Sequence, residues 1–335
     1  MASPIGQRPR ESVHRTVLLN ETIEGLNLHP KSVVLDCTFG GGGHSAEICK
    51  RYPDVKIIAL DQDKSAFEKA KSKFKDLNCE ISFFNANFKD LDHLSLPEKN
   101  FGNCAPVGKK PGDSHVSKNS FPKDLKADAI IFDLGLSSDQ LENSGRGFSF
   151  LRDEPLLMTM KENPGQEDLT AQDIVNTWSE KSLADIIYGF GEERFSRRIA
   201  RGIVEARDKT EIKTTSDLLK IIEDAVPAVY RRQRLPKKLH CATRTFQALR
   251  IAVNNELEVL KIGLEKGFDV LKVGGRMSVI SFHSLEDRIV KRFFKEKEKQ
   301  EKARLINKKL IIASEKEIKS NPRSRSAKLR ILEKI

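Results

Sequence analysis

Ser32-Val33-Val34-Leu35-Asp36-Cys37-Thr38-Phe39-Gly40-Gly41-Gly42-Gly43-His44-Ser45-Ala46-Glu47 runs from a short apolar stretch through an acid to four consecutive glycines. Val33 to Leu35 is too short for a buried helix and reads as a strand, and glycines accept backbone angles and close approaches closed to residues with a Cβ. Ser45, followed by Ile48, Cys49 and Tyr52 at helical spacing, opens a helix whose free N–H groups point back at whatever the loop holds. The same stretch also suits a ligand-free strand-to-helix turn, so its neighbours have to decide.

A second strand, Lys56 to Leu60, ends at Asp61, about 20 residues beyond the glycines, where a carboxylate meets a ribose diol in nucleotide-binding βαβ units. The following helix carries Phe67, Ala70, Phe74 and Leu77 on one face, so Asp61 or Asp63 can cap it; Asp61 is read as the ligand and Asp63 as the cap. The loop departs from the dinucleotide pattern G-x-G-x-x-G, because Ser45 stands where the third glycine belongs. S-adenosylmethionine, which requires no phosphate cradle, fits better than a pyrophosphate. A third strand is expected over Ile81–Asn85, then Phe88, which can stack on an adenine or pack under the sheet. Strand four, Ala129 to Phe132, runs into Asp133-Leu134-Gly135-Leu136-Ser137-Ser138-Asp139-Gln140, placing polar groups again at the carboxyl end of a strand, where open α/β sheets bind ligands.

Residues 97–126 hold four prolines, three glycines and six lysines with little apolar periodicity and read as a long surface loop. From 141 to 240 strands cease and helices are expected over Ala171–Trp178, Leu183–Tyr188, Arg194–Arg207 and Ser216–Ala225. Alternation then resumes with one long helix from Phe246 to about Leu271, a Gly274-Gly275 turn, and a strand from Met277 to Phe282. Ser284 with Asp287 looks like the cap of the next helix, which leaves His283 without a structural reason. The expected organisation is an α/β sheet domain in two parts, 1–140 and 241–335, interrupted by a helical substrate-recognition domain, 141–240.

The chain has 335 residues, 59 Lys/Arg against 48 Asp/Glu, and a net charge of +11. From Lys291 to Ile335 there are 16 Lys/Arg and 6 Glu, a balance of +10, so nearly the whole excess lies at one end. A second basic cluster, Arg231-Arg232-Gln233-Arg234-Leu235-Pro236-Lys237-Lys238, interrupts the middle. Basic runs are often solvated faces, but two of them in a basic chain suggest a polyanionic partner such as nucleic acid. Five cysteines without a C-x-x-C argue against a disulfide framework or a zinc site and suit a reducing cytoplasm; no metal is expected. No apolar run approaches a membrane span or a signal core.

Several motifs in order carry a resemblance: His14-Arg15-Thr16-Val17-Leu18-Leu19, Thr38-Phe39-Gly40 with Gly42-Gly43-His44, Asp133-Leu134-Gly135, Arg146-Gly147-Phe148-Ser149-Phe150, Gly191-Glu192-Glu193-Arg194-Phe195, Thr243-Arg244-Thr245-Phe246-Gln247, Ser281 to Arg288, and Asn321 to Arg330. Together they resemble the bacterial ribosomal RNA small subunit methyltransferase H family, also called MraW, over nearly the whole chain. The resemblance implies a Rossmann-like class I methyltransferase sheet with an inserted helical domain, and N4 methylation of a cytidine in the decoding region of 16S rRNA, free or in the small ribosomal subunit, with S-adenosylmethionine as donor. It implies cofactor contacts at Gly42, Gly43, His44, Asp61, Phe88, Asp133 and Gln140. Asp133 and His283 become candidates for accepting the amino proton or positioning the base, and Arg231, Arg232, Arg234, Arg244 and Arg250 candidates for holding RNA. The family's D-G-P-L-D-M-R-M run stands here as Asp153-Glu154-Pro155-Leu156-Leu157-Met158-Thr159-Met160, which leaves open any contact with RNA made by that segment. Two other classes compete: an NAD(P)-dependent oxidoreductase, favoured by the loop and Asp61 alone, and a ribosome-binding factor that keeps the fold without catalysis.

Overall fold

The computed structural model describes residues 15–75, 77, 79–92, 125–162, 164–232 and 239–335. Nearly all of the loop expected over 97–126 lies outside them, as do Arg234 and the side chain of Arg232. The strands are β1 (Val33–Asp36), β2 (Lys56–Asp61), β3 (Glu80–Asn85), β4 (Ala127–Asp133), β5 (Leu271–Ser281), β6 (Ala303–Leu305), β7 (Ile311–Ile312) and β8 (Lys328–Lys334). They form one sheet in the order β3-β2-β1-β4-β5-β8-β6, with β7 on the far end of β8. β1 to β5 run parallel, and β8 enters antiparallel to β5.

Alternation along each strand divides the core into two layers. Leu35, Ile58, Leu60, Ile130, Phe132 and Val279 face one way; Val34, Ile57, Ala59, Ala129 and Ile131 face the other. The second face is covered by α1 (Leu19–Leu26), α2 (Gly43–Arg51) and α3 (Lys64–Phe74), through residues such as Ile23, Ile48, Phe67 and Phe74. A short helix, α4 (Ser138–Asn143), follows β4. Next come α5 (Ala171–Thr177), α6 (Glu180–Gly189), α7 (Ser196–Arg207), α8 (Thr215–Ala225) and α9 (Ala228–Arg232), which with the front of α10 (Thr243–Asn254) enclose a separate core around Ile174, Leu183, Ile199, Ile203, Leu218 and Phe246. α11 (Glu256–Val270) and α12 (Ser284–Lys299) cover the first face of the sheet, through Leu264, Phe268, Val290 and Phe294; α13 (Glu315–Ser320) follows.

Three sequence expectations are corrected. The single helix from Phe246 to Leu271 is two, broken at Asn255, whose φ of 48° is left-handed. The preceding Asn254 is pinned through its amide to Met158 O (2.7 Å) and Met160 N (2.8 Å), contacts with no trace in apolar periodicity. The Gly274-Gly275 turn lies inside β5, beside a register shift against β4, and Gly274 has φ +80°. Cys49 and Cys79 are joined in a disulfide that ties α2 to the start of β3. Thirty residues separate the two in sequence, and only the packing of helix on strand brings them together.

The altered run 153–160 serves the fold. The Glu154 carboxylate accepts from Gly147 N (2.9 Å), Asp153 accepts from Ser216 N (3.2 Å), and the carbonyls of Thr159 and Met160 accept from Arg146 (3.2 and 2.9 Å). No helix among the described residues is long and apolar enough to cross a membrane.

Candidate active site

Strand order reverses between β1 and β4, and a cleft opens at the carboxyl ends of β1, β2 and β4, where a doubly wound sheet leaves room for a ligand. Its floor is Thr38 to Gly41, Asp61 and Gln62, and Asp133 to Ser138; Phe88, Val259 and Leu260 make an apolar wall.

Asp61 braces the glycine loop. Its Oδ2 accepts from Gly40 N (2.6 Å) and its Oδ1 from Asp63 N (2.8 Å). Burial pushes its carboxyl up to about 6 against the pull of these two bonds, with Asp63 and Asp36 adding repulsion. Asp63 caps α3 through Ser65 N (3.1 Å), as expected, and also forms a buried ion pair with Arg146 (2.6 Å). Burial opposes its charge, but the bonds from Ser65 and Arg146 outweigh it and hold Asp63 below the usual carboxylate range.

The other expected cofactor residues divide. Gly43, His44, Phe88, Asp133 and Gln140 line the cleft; Gly42 does not. Gly42 has φ +68°, and a Cβ there would meet the Phe39 ring at 2.6 Å, so it is a glycine for the sake of the turn and of packing on Phe39. Gly41, which the sequence did not single out, is on the cleft wall instead. The Phe88 ring packs edge-on to Phe132 (5.3 Å between centroids) and over Gly263, so it both lines the cleft and fills the core below. Gln140 closes a capping box with Ser137 at the start of α4 and reaches Asp63 Oδ2 at 3.4 Å.

Asp133 ends β4 with its backbone N–H donated to Thr38 Oγ1 (2.6 Å) and its Oδ2 3.6 Å from His44 Nδ1. Its buried Oδ1 has no hydrogen-bond partner among the described residues. Burial, followed by repulsion from Asp36 and Glu286, pushes this carboxyl up to about 8. Asp36 itself is raised to about 6 by burial, against hydrogen bonds from Ser45 Oγ (2.6 Å) and Thr38 N (3.2 Å).

His283 has a structural role after all. It is the N-cap of α12: its Nδ1 accepts from Glu286 N (3.4 Å), while the Glu286 carboxylate accepts from His283 N (3.2 Å) and Phe282 N (2.8 Å). The other ring nitrogen lies 3.2 Å from Glu286 Oε1, and Glu286, not His283, lines the cleft. Ser284, expected as the cap, donates instead to Glu192 (2.8 Å). Burial works against the Glu286 charge, but His283, Arg250 and the Phe282 N–H hold it below the ordinary range.

Arg250, a candidate for holding RNA, is half-buried and bound bidentately to Glu256 (2.8 and 2.9 Å), another cleft residue. Arg244 donates to the Glu192 carbonyl (2.9 Å), and Arg231 is exposed beside Glu223 O (3.3 Å) and Asp224 (3.7 Å). The sequence missed Asp36, Glu256 and Glu286, carboxylates that acquire meaning only through their neighbours in space. It also read no metal-ligand spacing, whereas among the described residues folding gathers two groups of potential ligand atoms, Glu223/His240/Cys241 and Glu256/His283/Glu286. In the second, Glu256 is already committed to Arg250.

A parallel sheet with a reversed β8, and a cleft presenting one acid after β2 and a second after β4 beside a glycine loop without the dinucleotide pattern, define a class I S-adenosylmethionine-dependent methyltransferase. The residues present fit that cofactor: Asp61 keeps lone pairs for a ribose diol, and the orphaned Asp133 Oδ1 awaits a cationic or N–H partner. The chain belongs to the MraW methylase family, whose model matches residues 11–335. It is 45% identical over 322 residues to the ribosomal RNA small subunit methyltransferase H of Acaryochloris marina, covering 96% of this chain and 94% of that one. It is 42% identical over 341 residues to the protein of the same name from Clostridium botulinum (strain Kyoto / Type A2), covering 97% and 100%. An rRNA methylase structure from Streptococcus thermophilus aligns over 93% of this chain and 91% of its own, at 13% identity and a TM-score of 0.40, too slight a likeness to bear on the reading.

Proposed function

We propose that this chain transfers the methyl group of S-adenosylmethionine to the exocyclic N4 of a cytidine in the decoding region of 16S rRNA, free or in the small ribosomal subunit, in the cytoplasm. The observation that carries the reading is Asp133: a carboxyl raised to about 8, with one buried oxygen unpartnered among the described residues, on the edge of the cleft at the carboxyl ends of β1, β2 and β4. The cofactor supplies an electrophilic methyl carbon on a sulfonium. The N4 lone pair is delocalised into the cytosine ring, so the protein must hold the amine in line and receive its proton. Asp133 is placed to accept a hydrogen bond from the amino group through Oδ1 and then take the proton, and a carboxyl that titrates near neutrality suits that exchange. A neighbouring positive charge favours its ionised form. Asp61 takes the ribose hydroxyls while bracing Gly40, and Phe88, Val259 and Leu260 exclude water from the adenine side. Glu286, fixed by the capping box on α12, sets the charge opposite Asp133, which gives His283 a positioning role.

Residues 141–240 are proposed as the substrate-recognition domain, set between methyltransferase parts 1–140 and 241–335; the separate helical core supports this, although the front of α10 joins it. Arg231, Arg232, Arg234 and Arg244 remain candidates for phosphate contacts. The cytidine has to reach the cleft unpaired or flipped out of any helix. Mass mapping of 16S rRNA from cells with and without the gene tests the reading: one cytidine should lose one methyl group, and an unchanged map would refute it.

A further inference from the structure

The charges of the cleft are sorted by exposure. Among the described residues four carboxyl side chains line it, Asp61, Asp133, Glu256 and Glu286, all buried or half-buried. Among the described residues, the only Lys or Arg side chains on its wall are Arg15 and Arg323, and both are exposed. They come from opposite ends of the chain and are held side by side. Asn321 Nδ2 donates to Arg15 O (2.9 Å), and Leu18 N donates to Glu317 Oε1 (2.8 Å). Ser324 is buried and its hydroxyl donates to Asn321 O (2.8 Å), fixing the short 3-10 turn Pro322–Ser326 that carries Arg323. The backbones are fixed, and both arginine residues are exposed. Arg323 pairs with Glu142 of α4, but both partners are well exposed (40% and 37%), so the pair is weak and open to exchange.

We propose that Arg15 and Arg323 form a phosphate clamp on the lip of the cleft, which holds the RNA backbone beside the nucleotide whose base is inserted. This rests on the RNA methylation proposed above. An acidic interior attracts an amine and repels phosphate, so a nucleotide enters base first and leaves its phosphates at the mouth, where the two arginines stand. Guanidinium groups bind phosphate bidentately, which fixes position as well as charge. The N- and C-terminal segments thus act as one recognition element, separate from the basic cluster at 231–238.

The test uses the full chain, a fluorescent decoding-region RNA fragment, and the variants R15A, R323A and R323K. Each alanine variant should weaken RNA binding about tenfold and lower the log-log salt slope by about 0.7–0.9, the amount expected for one lost phosphate contact. S-adenosylmethionine affinity, by calorimetry, should not change. RNA with neutral methylphosphonate linkages flanking the target cytidine should bind the parent more weakly by a similar factor, and R323A should lose nothing further on that RNA. Parental RNA affinity in the variants, or losses that simply add, would overturn the clamp. If R323A melts at a lower temperature than the parent, R323K decides. It keeps the charge without the fork, and should lose affinity several-fold on natural RNA and none on the neutral linkage; parental behaviour would overturn the proposal. A parent that methylates RNA alongside unaffected variants refutes the clamp alone. A parent that neither binds the RNA fragment nor methylates small ribosomal subunits refutes both proposals.

Discussion

Replacing Asp133 by Asn keeps the shape of the side chain and removes its titration. In the unfolded chain this carboxyl loses its proton near 3.8; in the folded protein it keeps it until about 8, because burial and then Asp36 and Glu286 disfavour the charge. Folding therefore takes up a proton throughout that interval, and stability falls as pH rises from 3.8 to about 8 and is level above it. At 1.36 kcal/mol per pH unit for a full proton, Asp133 alone accounts for a loss of ~2 kcal/mol between pH 6 and 8. Asp36 and Asp61, raised to about 6, are already about half ionised at pH 6 and together add only ~1 kcal/mol. About a quarter of the Asp133 side chain, 26%, still faces the cleft, so its ~2 kcal/mol is an upper bound. Urea unfolding of the purified, cofactor-free protein at pH 6, 7 and 8 should show the parent losing up to ~3 kcal/mol across the range and D133N ~1 kcal/mol. Equal losses in the two proteins would mean that Asp133 is already ionised at pH 6 in the free enzyme, and that its carboxyl is not raised to about 8.

Asp61→Ala should weaken S-adenosylmethionine binding at least tenfold by calorimetry, because it removes a charge-assisted acceptor and also releases Gly40 N; unchanged affinity would make Asp61 a loop brace only. Arg146→Ala strands Asp63 as a buried charge and should cost about 3–5 kcal/mol in urea unfolding, whereas a loss below about 1 kcal/mol would show that water replaces the guanidinium. His283→Ala should destabilise the protein by about 0.5–2 kcal/mol through its lost cap and lower kcat more than it raises KM for RNA; a change confined to KM would place His283 against the substrate.

The sheet was legible because each strand is a short apolar run that ends in a polar cluster: Leu35-Asp36, Leu60-Asp61 and Phe132-Asp133 mark both the strand ends and the rim of the cleft. Asp63 was legible as a cap because capping is local chemistry, decided within three residues. His283 was misread for the opposite reason: Ser284 and Asp287 offered a more familiar cap, and a histidine accepting through Nδ1 leaves no signature in composition. The break at Asn255 was hidden because apolar spacing continues on both sides, and its cause, the clamp of Asn254 on Met158 and Met160, lies almost a hundred residues away. Asp36, Glu256 and Glu286 are ordinary acids until folding sets them beside Asp133 and Arg250. The Cys49–Cys79 bridge and the pairing of Arg15 with the 321–326 turn are likewise products of tertiary approach. In the altered run 153–160, Glu154 holds the Gly147 N–H and the main chain holds Arg146, so the loss of the family residues does not by itself favour a factor without catalysis.

Delivery of a methyl group to a cytidine amine by this cleft can be followed by incubating the purified protein with small subunits from cells lacking the gene and S-adenosylmethionine bearing a deuterated methyl group, then mapping the 16S rRNA by mass spectrometry. The label should appear on N4 of one decoding-region cytidine with the parent and be lost with D133N. Label on a carbon or a ribose, or full transfer by D133N, would overturn the assignment of Asp133 and of the target amine.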